Sequence, residues 1–202
     1  MIMLINAEFI NGKIIEEYKS LLKSRLSEKR YNHSLEVAKE AKRLAKMYGA
    51  DENKAYVAGL LHDITKNADK SEHFEIFETF GITLTAVEKS AEKLWHAISG
   101  AAYIEHYLGI DDSEIIAAVR YHTTARSDMT RLETVLYLAD FTSLDRDYDD
   151  VDVMRALVDK SETEALSYAL TYTINELLEK GVPIHPDTVA AYNDVSLKGR
   201  TL

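Results

Sequence analysis

The sequence of 202 residues contains no cysteine. Disulfides and thiolate metal sites are therefore excluded, and any metal must be held by histidine and carboxylate. Proline is nearly absent, with only Pro183 and Pro186, and glycine occurs eight times. With Ala, Leu, Glu and Lys abundant, such a chain suits long helices joined by short connections. No stretch approaches the ~20 apolar residues of a membrane span. The opening MIMLINAEFI lacks the basic stretch and long apolar run of a secretory leader. A cytoplasmic protein without membrane contact is expected. An excess of positive charge is missing too. The formal net charge is −10, which argues against broad contact with a nucleic-acid backbone, because that binding needs clustered Lys and Arg. A small anionic substrate in a local cationic pocket stays compatible with this balance. No linker divides the chain, so residues 1–202 are expected to form one domain.

Apolar residues recur at helical spacing along most of the chain. Ile14, Ile15, Tyr18, Leu21, Leu22 and Leu26 predict an amphipathic helix from Ile14 to about Glu28. A second is expected from an N-cap at Asn32 or Ser34 to a stop at Gly49, which sets His33 at its start. Asp51 or Asn53 caps a third, whose apolar face runs into His62 and Asp63. The pattern breaks around Gly81, then predicts a helix from Val87 to Gly109 that contains His96. Ser113 is expected to cap a short helix ending at His122, and Leu132, Val135, Leu136 and Leu138 carry another to Asp140. A long helix from about Asp152 to Lys180 stops at Gly181-Val182-Pro183, with a helical tail from Asp187. The fold class read from this pattern is all-α, with no repeat and no low-complexity segment.

The stretch LLHDITK places His62 and Asp63 side by side after an apolar run. Adjacent helical side chains point about 100° apart, so two of them share one target only near a helix end, where the backbone loosens. An inward aspartate must be paired or must coordinate a metal, since an isolated buried carboxylate costs several kcal/mol. His33, His96, His122 and Asp140 also lie beside or within apolar helical stretches. Any one of these histidines alone reads as an ordinary core or surface residue, as His73, His106 and His185 do. The ordered series His33, His62-Asp63, His96, His122, Asp140 does not. Six N and O ligands are what two first-row metals sharing a bridging carboxylate require.

The stretches YNHSLEVAKEAKRLAKMYGAD, AYVAGLLHDITKN, LWHAISGA, IIAAVRYHTTAR and LETVLYLADF cover most of residues 30 to 142. In them the chain resembles the HD-domain phosphohydrolase superfamily and, more narrowly, the YqeK-type symmetrical bis(5'-nucleosyl)-tetraphosphatases, which hydrolyse diadenosine tetraphosphate to two ADP. The resemblance implies an HD-domain helical bundle, its metal-binding core at about 30–145, with extra C-terminal helices at about 152–196. It implies that His33, His62, Asp63 and Asp140 hold one metal, and that His96 and His122 hold a second with Asp63 bridging. The cofactors implied are two divalent or mixed-valence ions, iron by family association, with manganese suited to the same donors. Asp63, Lys66 and Arg126 match the catalytic positions, and Lys66, Arg126 and Arg146 those that face phosphates. Three places depart from the family pattern. Ser143 and Leu144 stand where a Glu-Pro pair is usual, Ala125 replaces the glycine of HTTGR, and LWHA replaces LLHG, setting Trp95 beside His96.

Other readings remain at this stage. An HD hydrolase of another nucleotide (a nucleoside monophosphate, a cyclic nucleotide or ppGpp) would carry the same ligands, as would a regulatory module that binds metal and nucleotide without turnover. A purely structural helical adaptor gives no reason for six ligand-type residues in order. Trp95 and Tyr121 flank presumed ligands and could stack a base, whereas Tyr137 is read as core. The long C-terminal helix is expected to cap the domain, with a homodimer through its apolar stripe as the alternative.

Overall fold

Eleven α-helices follow one another in the computed structural model, which describes residues 12–198. They are α1 (Gly12–Arg25), α2 (Glu28–Tyr48), α3 (Glu52–Leu61), α4 (Lys70–Thr79), α5 (Ala86–Ser90), α6 (Trp95–His106), α7 (Ser113–Tyr121), α8 (Arg131–Thr142), α9 (Val151–Lys160), α10 (Glu162–Glu179) and α11 (Pro186–Lys198). The all-α expectation is borne out. Among the described residues no helix is long and apolar enough to cross a membrane. The reading of MIMLINAEFI concerns residues outside those described.

The centre of the molecule is the packing of α2 on α3 and α8, with α7 against α3, α6 and α8. Val37, Ala38, Ala41 and Leu44 of α2 meet Val57, Ala58, Leu60 and Leu61 of α3 and Val135, Leu136 and Leu138 of α8, all fully buried. Small residues bring α2 and α3 together. A methyl group on Gly59 would lie 2.8 Å from Ala38 Cα, so the two helices touch backbone to backbone there. Phe77, Leu84, Trp95 and Ile98 form a second, smaller cluster that ties α4 to α6.

Helix ends decide where the polar residues fall, and several differ from the pattern-based reading. The N-cap of α2 is Ser27, whose hydroxyl accepts from the Arg30 N–H, and not Asn32 or Ser34. His33 therefore lies more than a turn inside the helix and is buried rather than at its start. Because Ser27 caps α2, α1 ends at Arg25, short of Glu28. Gly49 does end α2, at φ 77° with its N–H on Ala45 O, and Asp51 caps α3. Asp112, not Ser113, caps α7.

Two expected long helices are broken. Ala91, at φ −124° and ψ 77°, ends α5, and a 3-10 turn (Glu92–Leu94) leads into α6, so His96 sits in a first turn. Ser161, at φ −161°, closes α9 and caps α10 with its hydroxyl on the Glu164 N–H. Helix α4 is not marked by the pattern, because its apolar residues, Phe74, Ile76 and Phe77, are few.

Candidate metal centre

Five helices bring the six predicted ligands to one place. His33 comes from α2, His62 and Asp63 from the end of α3, His96 from α6, His122 from the end of α7 and Asp140 from α8. Three overlapping groups form: His33, His62 and Asp63; His62, His122 and Asp140; Asp63, His96 and His122. In each group the ligand atoms lie within 4.8 Å of one another. His33, His62, Asp63, His96 and His122 are at most 3% exposed. His62, Asp63 and His122 each belong to two of the groups, so the groups merge into one cluster.

Helix termini explain the orientation of two rings. His62 follows the last residue of α3 and donates from Nδ1 to Gly59 O at 2.7 Å; His122 follows α7 and donates from Nδ1 to Val119 O at 2.7 Å. Each imidazole spends its proton on a carbonyl left free by the helix end, which turns the Nε2 lone pair inward. Burial holds both rings below the ordinary histidine pKa, His122 well below because His62 and His96 crowd it. His62 Nε2 is buried and has no hydrogen-bond partner; Asp63 Oδ2 lies 3.6 Å away and Asp140 Oδ1 3.9 Å. His96 Nε2 faces His122 Nε2 at 3.1 Å and Asp63 Oδ1 at 3.2 Å.

Burial works against ionisation of both aspartates, yet their neighbours prevail. His62, His96 and Lys66 hold Asp63 well below the usual carboxylate range, and Arg146, His33 and His62 do the same for Asp140. Inward lone pairs beside ionised carboxylates, with no sulfur, fit a first-row divalent cation. A buried acceptor without a donor, such as His62 Nε2, is what a cation satisfies.

A surrounding layer supports the ligands. Asp145 Oδ2 accepts from His33 Nδ1 at 2.8 Å, and Ser143 donates to Asp145 Oδ1 at 2.8 Å. Burial lowers the His33 pKa, but the carboxylates of Asp140, 2.9 Å from its Nε2, and of Asp145 raise it above the ordinary value overall. Ser143 and Asp145 lie in the segment that departs from the family pattern, and here that segment orients a ligand. Arg30 Nη1 reaches Asp63 Oδ2 at 3.2 Å. Lys66 Nζ is 3.6 Å from Asp63 Oδ1 and 3.0 Å from His96 Nε2. Arg146 donates from Nε to Asp140 O at 2.5 Å and pairs with Asp140 Oδ1.

Arg30 and Asp145 were missed in the sequence. Arg30 had a signal, since it precedes His33 by three residues and so shares its helix face. Asp145 sits beyond the end of α8 and had none.

Not every expected residue joins the cluster. Arg126 donates from Nε and Nη2 to the Glu133 carboxylate, at 2.6 and 2.9 Å, and lies over the Tyr121 ring, so its guanidinium is engaged away from the six ligands. Ala125 before it takes φ 55°, the left-handed conformation that suits the usual glycine. Trp95 is core: it is buried in the α4–α6 cluster and donates its indole N–H to Glu88 O. Tyr137 is core, as expected, and His73, His106 and His185 stay outside the ligand groups.

An all-helical frame that gathers a His-Asp pair and four further ligand-type residues defines a metal-site hydrolase class. The HD domain model matches residues 30–146, and the chain belongs to that family. It is 36% identical over 178 residues to the symmetrical bis(5'-nucleosyl)-tetraphosphatase of Halalkalibacterium halodurans, which is 88% of this chain and 95% of the relative. The figures are the same for the protein of that name in Bacillus subtilis. That of Staphylococcus aureus is 34% identical over 181 residues, 89% of this chain and 93% of its own. A crystal structure of a predicted HD superfamily hydrolase involved in NAD metabolism, from Clostridium acetobutylicum, superposes with a TM-score of 0.88 at 33% identity, covering 91% of this chain and 97% of that one.

Proposed function

We propose that this chain is a metal-dependent phosphohydrolase that cleaves diadenosine tetraphosphate symmetrically to two ADP. The observation that carries the hydrolase class is the convergence of six ligand-type side chains around the unpartnered His62 Nε2. The choice of substrate is supported by relatives of 34 and 36% identity that bear the symmetrical tetraphosphatase name.

In this reading His33, His62, Asp63 and Asp140 would hold one metal and His96 and His122 a second, with Asp63 available to both. The metals are iron, or manganese by the same donor chemistry. Two such cations supply a hydroxide at neutral pH and offset phosphate charge. The oxygen of water bonds to one central phosphorus, and the bridging oxygen leaves on the other ADP.

The chain's own groups prepare this step. Gly59 O and Val119 O fix which nitrogens of His62 and His122 are donors to a cation, and Asp145 does the same for His33. Lys66 and Arg30 stand on the Asp63 side of the cluster, where they line one cavity with Lys70, Lys93 and His96. They neutralise charge that builds on the non-bridging and leaving oxygens. Arg146 does so on the Asp140 side. Arg126 takes part only if substrate draws it from Glu133. Product analysis tests the assignment: iron- or manganese-loaded protein incubated with diadenosine tetraphosphate, and nucleotides resolved by anion exchange, yields ADP alone. ATP plus AMP, or no turnover by fully metallated protein, would overturn it.

A further inference from the structure

Two cavities share residues with the metal cluster, and their chemistry differs. The one beside Lys66 and His96, of about 460 Å³, is lined by the four cations Arg30, Lys66, Lys70 and Lys93 and by one acid, Glu92, which pairs with Lys70. Its aromatic residue, Trp95, is buried, with its N–H already engaged. The other, of about 280 Å³, is lined by Asp140, Phe141, Arg146, Tyr148, Tyr172 and Glu176. It begins at a presumed ligand and continues into aromatic rings.

Those rings are held in place. Phe141 meets Tyr148 edge-on at 6.4 Å and Tyr172 edge-on at 6.3 Å, while Tyr148 and Tyr172 lie 5.4 Å apart at 49°. The Tyr148 hydroxyl donates to Phe141 O at 3.1 Å, which ties the loop after α8 to the helix. All three residues are half-buried, and all three line the cavity. Glu176, paired with Lys180, closes the outer edge. Arg146 stands at the inner edge, bound to Asp140.

Phosphate does not suit the outer part of this pocket. Two of its six lining side chains are acidic, and its one cation, Arg146, stands at the inner edge beside Asp140. A flat, uncharged heteroaromatic ring suits it well, since stacking on aromatic side chains needs no charge and tolerates any base.

We propose that this aromatic pocket seats one nucleobase of the dinucleotide, with Arg146 meeting the first phosphate on the way to the cluster. The proposal rests on the function proposed above and adds a recognition site to it. The cationic cavity on the other side takes the phosphates of the second half. A base anchored here also fixes which phosphorus reaches the metals, since the count of phosphates runs from the anchor inward.

The test compares ligands with and without a base. Manganese-loaded protein is titrated calorimetrically with ADP and with inorganic pyrophosphate, as wild type, Tyr172→Ala and Tyr172→Phe, each checked for fold by circular dichroism and thermal melting. Wild type binds ADP more tightly than pyrophosphate. Tyr172→Ala weakens ADP by about 10-fold, the scale of one lost stacking contact, and leaves pyrophosphate unchanged, while Tyr172→Phe keeps the ADP affinity. The proposal is overturned if wild type does not prefer ADP, or if Tyr172→Ala leaves ADP unchanged or weakens both ligands alike. The hydrolase assignment is read separately. Symmetrical turnover by wild type with no ADP-selective loss in the variant rejects the base pocket and keeps the function. A base-selective loss without tetraphosphate turnover does the reverse.

Discussion

Asp63 and Glu88 are both buried acids beside histidine, yet their surroundings differ in kind. Glu88 completes the capping box of α5. It accepts from the Thr85 N–H at 2.8 Å and from Arg120 at 2.7 Å. His185 Nδ1 accepts from the Asp187 N–H at 3.2 Å, so its proton sits on Nε2, which faces Glu88 Oε1 at 3.6 Å. Two donors therefore bond this acid, and the N–H of His185 faces it. Asp63 and Asp140 also have cations beside them, Arg30 and Arg146, but the rings around them are turned the other way. His62 and His122 spend their protons on backbone carbonyls and present lone pairs to carboxylates. A metal site is thus marked by whether the ring nitrogen that faces the acid carries a proton, since burial, nearness of histidine and the use of Nε2 are common to both places.

The largest effect that could break this contrast is at Asp63. Asp63→Ala, or His62→Ala, is expected to abolish metal binding and lower turnover on the order of 10³-fold or more, the scale of losing a catalytic group. Metal analysis and a rate assay check it, and activity retained with empty sites would end the mechanism. Lys66→Ala is expected to lower turnover by about 10²-fold, as loss of one charge-stabilising group does, with metal content unchanged. Loss of metal in that variant would make Lys66 a structural partner of Asp63 instead. Asp145→Asn is expected to weaken metal binding by about 10-fold or more through misorientation of His33, seen in a chelator-competition titration.

The smallest effect on function lies at the other acid. Glu88→Gln is expected to leave metal content and turnover intact and to cost about 1–3 kcal/mol of stability at pH 7, the cost of weakening a buried charged hydrogen bond. Burial raises the Glu88 pKa, but the Thr85 bonds and Arg120 prevail and hold it below the ordinary 4.5. Its contribution is therefore present in full above pH 4.5 and lost as pH falls through the lower folded-state value. Denaturant melts of wild type and Glu88→Gln should converge on acidification below pH 4.5, and a gap that widens there would contradict the sign.

Much of the site was legible because its signals are local. His62-Asp63 stands out as a polar pair ending an apolar helix, and Gly49 and Asp51 mark the turn that sets α3 against α2. What escaped depended on caps and on tertiary partners. The apolar stripe continues across Ser161, so periodicity runs through the break, although Ser161 followed by Glu164 has the spacing of a cap. Ser27 was passed over because the apolar pattern strengthens only beyond His33. Arg126 was read as facing phosphate, but nothing in its spacing told that Glu133, the N3 residue of the α8 capping box, would take its guanidinium. Asp145 could be found only once the loop after α8 was folded back on His33.

Gly59 joins two roles in one residue. It lets α3 rest on the main chain of α2 at Ala38, and its carbonyl orients His62. The separation between the helices that carry His33 and His62 is therefore inherited from main-chain contact and is insensitive to which side chains fill the rest of the core. Such a frame tolerates sequence drift around it, and the segment after Asp140 has drifted. The metal frame and the substrate-selecting rim are only partly separable, because Asp145 and Arg146 in that segment hold His33 and Asp140, so a change that spares the ligands has to be confined to neighbours such as Phe141 and Tyr148.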